Sequence, residues 1–88
     1  MFDLIKVSKA FSDKNRLKIL SMLSTGTRNV GEVADTLKVE ENLASHHLRV
    51  LASIGFLKSN KKGREVYYAI NKEKVDSVLG DIKKEILK

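Results

Sequence analysis

The sequence predicts a mainly helical fold with one small β-hairpin, an α+β chain of four helices, two strands and a fifth helix. Residues 41–54 carry apolar side chains at helical spacing, with a purely polar stripe opposite them. Gly55 then marks a stop, and residues 56–60 and 65–70 have strand character around a short basic turn. A polar-faced helix followed by a basic hairpin is the order found in a winged helix-turn-helix, so the pattern predicts that fold.

Two helices are predicted near the N-terminus from the spacing of their apolar residues. The first covers residues 4–11 and has a narrow apolar face, and Ser12 or Asp13 can then cap the second. The second covers residues 14–24, and Gly26 follows where a helix stop is expected. Its expected core residues are Leu17, Ile19, Leu20, Met22 and Leu23.

A third helix is expected to begin after Asn29, because asparagine is a favourable N-cap. Glu32 then lies in the first turn, where the helix dipole favours an acid. Residues 38–40 make a tight turn into the helix at residues 41–54. The third and fourth helices therefore form a helix-turn-helix pair.

A long final helix is predicted after Asn71, with an apolar stripe that continues to the end of the sequence. So late in a chain of 88 residues, little core remains for this stripe to cover. We therefore expect it to pack on a second copy, beside the first helix; the alternative is that it folds back on its own domain. The predicted homodimer interface comprises Leu4, Ile5, Val75, Val78, Leu79, Ile82 and Ile86.

The composition indicates one winged-helix domain over residues 1–88, because there is no proline, no Gly/Ser-rich linker and no repeat. The 17 Lys and Arg against 11 Asp and Glu give a net charge of +6. One stretch without an acid holds Lys58, Lys61, Lys62 and Arg64. Such clustering favours a polyanionic partner. DNA is preferred over a membrane, since no apolar run approaches the roughly 20 residues that span a bilayer.

No set of Ser, His and Asp has the spacing of a catalytic triad, and there is no phosphate-cradling glycine loop or metal-ligand cluster. This argues against an enzyme and against a resident cofactor or metal. With no cysteine there is no thiolate metal site and no disulfide. His46 and His47 are adjacent, so a helix points them about 100° apart and they cannot share a metal ion. The N-terminal sequence lacks the features of a signal peptide, so we expect a cytoplasmic protein.

The polar face of the helix at residues 41–54 is the predicted DNA-reading surface, because the N-terminal half of such a helix enters the major groove. Its expected contacts are Glu41, Asn42, Leu43, Ser45, His46 and Arg49. The wing is expected to add phosphate contacts from Lys61, Lys62 and Arg64. By its spacing, His47 joins the buried stripe as a packing residue with one hydrogen bond, and strand alternation places Tyr68 in the core.

Four segments of the chain match one known pattern: residues 13–20 (DKNRLKIL), 43–51 (LASHHLRVL), 54–57 (IGFL) and 63–68 (GREVYY). In order and spacing they resemble the ArsR/SmtB family of bacterial and archaeal repressors, and the match extends over nearly the whole chain. The resemblance implies a homodimeric winged-helix protein that binds double-stranded operator DNA near a promoter. Such a protein blocks transcription until an effector loosens it.

Three features depart from the pattern of that family. Members that sense thiophilic metals carry a Cys-x-Cys at the start of the third helix, where residues 28–34 here are RNVGEVA. Members that bind zinc between paired last helices use Asp and His, whereas this last helix offers Asp76, Asp81 and Glu85 but no His. The turn at residues 38–40 lacks the usual Gly and Ser cap.

The sequence therefore predicts a repressor that does not sense metal through thiolates, and its effector is left open: a small molecule, another protein, or none. Two copies related by a twofold axis would bind an imperfect palindrome. One alternative is a winged helix that binds another protein, since a fold does not fix a function. A second is a DNA-coating protein without sequence preference. The basic turn favours DNA over a protein partner, and preference for one operator would distinguish a repressor from a coat.

Overall fold

The computed structural model describes residues 3–88, which form five helices and a three-stranded antiparallel sheet. The elements in chain order are α1 (Leu4–Phe11), α2 (Lys14–Leu23), β1 (Arg28–Asn29), α3 (Val30–Leu37), α4 (Glu41–Ser53), β2 (Leu57–Lys62), β3 (Glu65–Ile70) and α5 (Lys72–Ile86). The strand order is β1-β3-β2, so β1 pairs with the hairpin from its far side. The predicted fold class is confirmed, whereas β1 was not predicted.

Side-chain caps begin three of the helices at the positions that the sequence predicted. The Asp13 carboxylate accepts hydrogen bonds from two backbone N–H groups in the first turn of α2. Asn29 and Glu32 form a reciprocal capping box on α3, with N···O distances of 2.8 and 2.9 Å. Asn71 caps α5 through its side-chain oxygen. Each cap satisfies N–H groups that have no partner within the helix.

The turn of the helix-turn-helix depends on backbone conformation rather than on a cap. Lys38 ends α3 in the left-handed region, with φ 57° and ψ 48°. The Val39 N–H donates to the Ala34 carbonyl at 3.1 Å and closes the turn. Glu40 occupies the N-cap position of α4 without a side-chain hydrogen bond to the helix. Lys38, in a strained left-handed conformation, therefore takes the place of the usual Gly. In place of the usual Ser cap, α4 begins without a side-chain cap.

The core is one continuous cluster to which every helix contributes. The apolar stripe predicted for α4 is confirmed, since Ala44, Leu48 and Leu51 are fully buried. The prediction for Leu17 was wrong, because its side chain is 49% exposed. Ile19 occupies the inward face of α2, and a residue two positions away lies about 200° around the helix.

The hairpin is longer and tighter than the sequence suggested. Lys62 pairs with Glu65, which leaves only Gly63 and Arg64 in the turn. Gly63 has φ 62°, the sign that a two-residue hairpin turn requires at its first central position. The predicted four-residue basic turn is therefore wrong, because Lys61 and Lys62 belong to β2.

The last helix folds back on its own domain along part of its length. Val78 is only 3% exposed, and Val75 and Ile82 pack partly against the same core. The prediction that Val78 lies in a dimer interface is therefore wrong, because its side chain is already buried within the chain. Within residues 3–88, no helix has the length and the apolar character needed to cross a bilayer.

Lys38→Gly is expected to raise the free energy of unfolding by roughly 0.5 to 1 kcal/mol. Removal of the left-handed strain outweighs the greater entropy that glycine gives the unfolded chain. Gly55→Ala is the matched opposite change, since Gly55 has φ +83° and a Cβ there would lie 3.0 Å from Lys74 Cε. It should cost about 1 to 2 kcal/mol. Denaturant unfolding measures the free energy of unfolding of both variants. A change of the same sign in both would contradict this account.

Candidate nucleic-acid interface

The exposed side of α4 is almost entirely polar. Asn42, His46 and Arg49 are exposed, Ser45 is half-buried beside them, and Leu43 is the one apolar residue open to solvent. The opposite side of the same helix is fully buried. The helix is therefore held firmly by one face while it presents hydrogen-bonding groups on the other.

Glu41 is exposed like Asn42 and Arg49, but its carboxylate also approaches α3. A Cβ at Gly31, in the first turn of α3, would lie only 3.3 Å from Glu41 Oε1. The carboxylate is thus placed beside the N-terminal turn of α3, where a negative charge is favourable. The predicted contact of Glu41 with a base stays a prediction.

His47 is buried on the same helix, as the sequence predicted, with 4% of its surface exposed. Its Nδ1 lies 3.3 Å from Nη1 of Arg16. The same guanidinium donates from Nε to the Ala10 carbonyl at 2.8 Å and from Nη2 to the Lys9 carbonyl at 3.0 Å. Arg16 therefore joins the C-terminal turn of α1 to α4, and it is part of the scaffold rather than a surface contact.

The electrostatic surroundings keep His47 neutral. Burial lowers the pKa of His47 below 6.5, with Arg16 and His46 acting in the same direction and Asp13 opposing them. Burial opposes ionisation of Asp13, but hydrogen bonds from the Asn15 and Arg16 backbone N–H groups prevail, so its pKa is lowered from 3.8. Because His47 binds a proton less readily when folded, its contribution to stability is present above about pH 6.5 and is lost as the pH falls.

The wing presents its cations on two faces. Lys58, Lys61, Lys62 and Arg64 are all exposed. Successive side chains on a strand point to opposite faces, so Lys61 and Lys62 diverge. The Lys62 ammonium lies 5.4 Å from the centre of the Tyr67 ring, which holds it on one face by a cation–π contact. Tyr68 is buried, as predicted.

Metal-binding groups do not gather in the part of the chain that the structure describes. No three His, Asp or Glu side chains of residues 3–88 form a group that could hold a metal ion. The functional arrangement that the sequence did not reveal is the link from Arg16 to α1 and His47. The only signal for it was the position of His47 within an otherwise apolar stripe.

Comparison with known proteins gives a consistent result. The family described as "Bacterial regulatory protein, arsR family" matches residues 13–59. A cadmium resistance transcriptional regulatory protein CadC homolog from Staphylococcus aureus is 41% identical over 88% of this chain, which spans 64% of that relative's length. The transcriptional repressor SdpR from Bacillus subtilis is 35% identical over a region that covers 74% of this chain and 72% of the SdpR chain.

Solved structures agree with these relatives. A homodimeric winged helix-turn-helix DNA-binding domain from Mycobacterium bovis, described as a possible ArsR-family transcriptional regulator, matches with a TM-score of 0.75 and 27% identity. The match covers 97% of this chain and 82% of that one. The relatives are transcriptional regulators, a class that does not act by catalysis. The chain belongs to the arsR family of regulatory proteins and is a winged-helix DNA-binding transcriptional regulator.

Proposed function

We propose that the chain acts in the cytoplasm as a homodimeric repressor that binds a palindromic operator and excludes RNA polymerase by occupancy. The observation that carries the proposal is the pairing of a polar, exposed face on α4 with an exposed basic hairpin. A protein-binding module has no need of cations at its hairpin tip. The repressor function of SdpR, together with the homodimeric state of the Mycobacterium bovis domain, supports the same conclusion.

Sequence recognition is assigned to the exposed face of α4. Asn42 can form two hydrogen bonds with adenine, and Arg49 can do the same with guanine. Leu43, with 43% of its surface exposed, is suited to a thymine methyl group. Ser45 and His46 complete the set. We leave Glu41 out of it, because its carboxylate lies beside α3.

Affinity is assigned to the wing. Lys61, Lys62 and Arg64 are exposed, and they point to different sides of the hairpin. Such an arrangement lets one hairpin meet phosphates on both sides of a groove. Phosphate contacts of this kind depend steeply on salt and carry no sequence information.

Dimerisation is assigned to the apolar residues of α1 and α5 that the core leaves uncovered. Ile5 is 71% exposed and Ile86 is 68% exposed, and Leu4 and Leu79 also remain open to solvent. The chain exposes 6087 Å², whereas a compact monomer of 9.9 kDa exposes about 5200 Å². Covering this patch with a second copy would bury the excess. Val75 and Ile82 would border the patch while they pack on their own core.

Twofold symmetry then fixes the form of the operator. Two copies of α4 would enter major grooves about one helical turn apart, roughly 34 Å, and would bind two inverted half-sites. The effector is not assigned. Since these 88 residues contain no cysteine, they cannot hold a metal through thiolates as a cadmium sensor of the cysteine-box type does.

Selection of DNA from a random pool tests the proposal. The purified protein should recover an inverted repeat and should bind it far more tightly than random duplex at physiological salt. Recovery of DNA without a common motif would instead indicate a DNA-coating protein. Failure to retain any DNA would favour a module that binds protein.

Because affinity is assigned to the wing and sequence recognition to α4, substitutions in the two elements should affect selected and random DNA differently. Lys61→Ala combined with Lys62→Ala should weaken binding to selected and random DNA alike and reduce the salt slope by about 4, because the dimer loses two lysines from each protomer. Asn42→Ala should cost about 1 to 3 kcal/mol for each half-site of the selected operator and relax preference at one base pair of each half-site. Lys84→Ala, at the far end of α5, is the control for a lost charge. Fluorescence anisotropy measures all three, and an equal effect of both changes on random DNA would contradict the assignment.

The dimer assignment is tested by two equally exposed leucines. Leu79→Glu on α5 should convert the dimer to monomer, because it places a charge within the proposed interface. Leu17→Glu on α2 should leave the dimer intact, although both side chains are 49% exposed. Sedimentation equilibrium distinguishes the outcomes. A Leu79→Glu variant that stays dimeric would move the interface elsewhere.

A further inference from the structure

We propose that Arg16 and His47 form a proton-sensitive latch, through which protonation of His47 loosens the recognition helix α4 and weakens DNA binding. The inference rests on the DNA-binding function proposed above and concerns how that function is regulated. Neither residue belongs to the proposed DNA contacts. Arg16 is in the first turn of α2, and His47 is on the buried face of α4. Their side chains meet between these two helices, beside the end of α1.

The first step is that each of the three nitrogens of the Arg16 guanidinium makes a contact with a neighbouring helix. It donates to two carbonyls at the C-terminal turn of α1, those of Lys9 and Ala10. A cation is favourable there because the helix dipole ends negatively. Its remaining Nη1 points to His47 at 3.3 Å. The backbone at Arg16 is fixed as well, since its N–H donates to the Asp13 cap of α2.

The second step is that this geometry sets the protonation state of His47. Arginine has only hydrogen-bond donors, so Nδ1 of His47 must be the acceptor, and the ring proton resides on Nε2. A proton added to Nδ1 would make the N–H groups of His47 and Arg16 point at each other, with no acceptor between them. It would also place two positive charges in contact. The bond between Arg16 and His47 would therefore break when the imidazole becomes charged.

The third step concerns the charges that face His47. Arg16 and the cap Asp13 act from α2, and His46 acts from α4 itself, while α1 contributes only the carbonyls that Arg16 occupies. The carboxylate of Asp13 would attract a protonated His47, but it is already held by two backbone N–H groups. Burial lowers the pKa of His47 below 6.5 despite this carboxylate. The latch is therefore closed at neutral pH and opens only when the pH falls below the lowered pKa of His47.

The effect on DNA follows from the place of His47 in α4. Its neighbour His46 lies on the exposed reading face, and the two rings are 5.9 Å apart. When the contact between Arg16 and His47 breaks, α4 is held less firmly. The exposed face of α4, which carries the proposed DNA contacts, then loses its fixed orientation. DNA binding then favours the neutral imidazole, and by linkage DNA must lower the pKa of His47 further.

The test measures affinity for the selected operator by fluorescence anisotropy from pH 8 down through the pKa of His47 that the resonance titration below measures. Below that pKa the wild type should lose at most about a hundredfold per pH unit, because the dimer links two protons, one at each His47. His47→Gln, whose side-chain oxygen can still accept from Arg16, should show little of this loss relative to its own affinity at pH 8. His46→Gln is the matched control, and relative to its own affinity at pH 8 it should keep the loss, because it leaves the contact between Arg16 and His47 in place.

Nuclear magnetic resonance titration of the wild type provides a readout that does not depend on any variant folding. On addition of operator DNA the pKa of His47 should fall further, as linkage requires. A pKa of His47 that rises with DNA, or a His47→Gln variant with the wild-type loss, would overturn the latch. Absence of sequence preference already at pH 8 would overturn the proposed repressor function as well.

Discussion

The function of this chain depends on the packing of α4 into the core through one stripe. Ala44, Leu48 and Leu51 are fully buried, and residues spaced three and four apart all lie on one side of a helix. The residues on the opposite side of the helix therefore face solvent, and these are the ones to which DNA contacts are assigned above. Because a close-packed core transmits displacement, any shift of the stripe would move every reading side chain together.

Local signals explain why much of this arrangement could be predicted. A cap such as Asn29 acts on backbone groups within one turn, and the periodicity of α4 is complete within its own residues. β1 gave no such signal, since it has two residues and exists only because Arg28 and Asn29 pair with Tyr68 and Tyr67 of β3. Two residues are too few to show an alternation.

The wrong predictions for Leu17 and Val78 concern partners distant in the sequence. An apolar residue on a helix turns inward only where another element covers it, and Leu17 stays 49% exposed, whereas Val78 packs into the core. The bridge made by Arg16 joins residues 31 positions apart, and its other partners are backbone carbonyls, which have no sequence signature. Hydrophobic patterning identifies which faces are apolar, but tertiary packing decides which of them are covered.

The surface chemistry of the chain separates two tasks. The cations of the wing and the polar face of α4 lie together, whereas most of the large exposed apolar residues lie on or just after α1 and α5, with Leu17 and Leu43 as the exceptions. A dimer formed through the second set leaves the first set free for DNA, so the two kinds of binding do not compete. Arg16 connects them, because it holds the last carbonyls of α1 with the same side chain that holds His47.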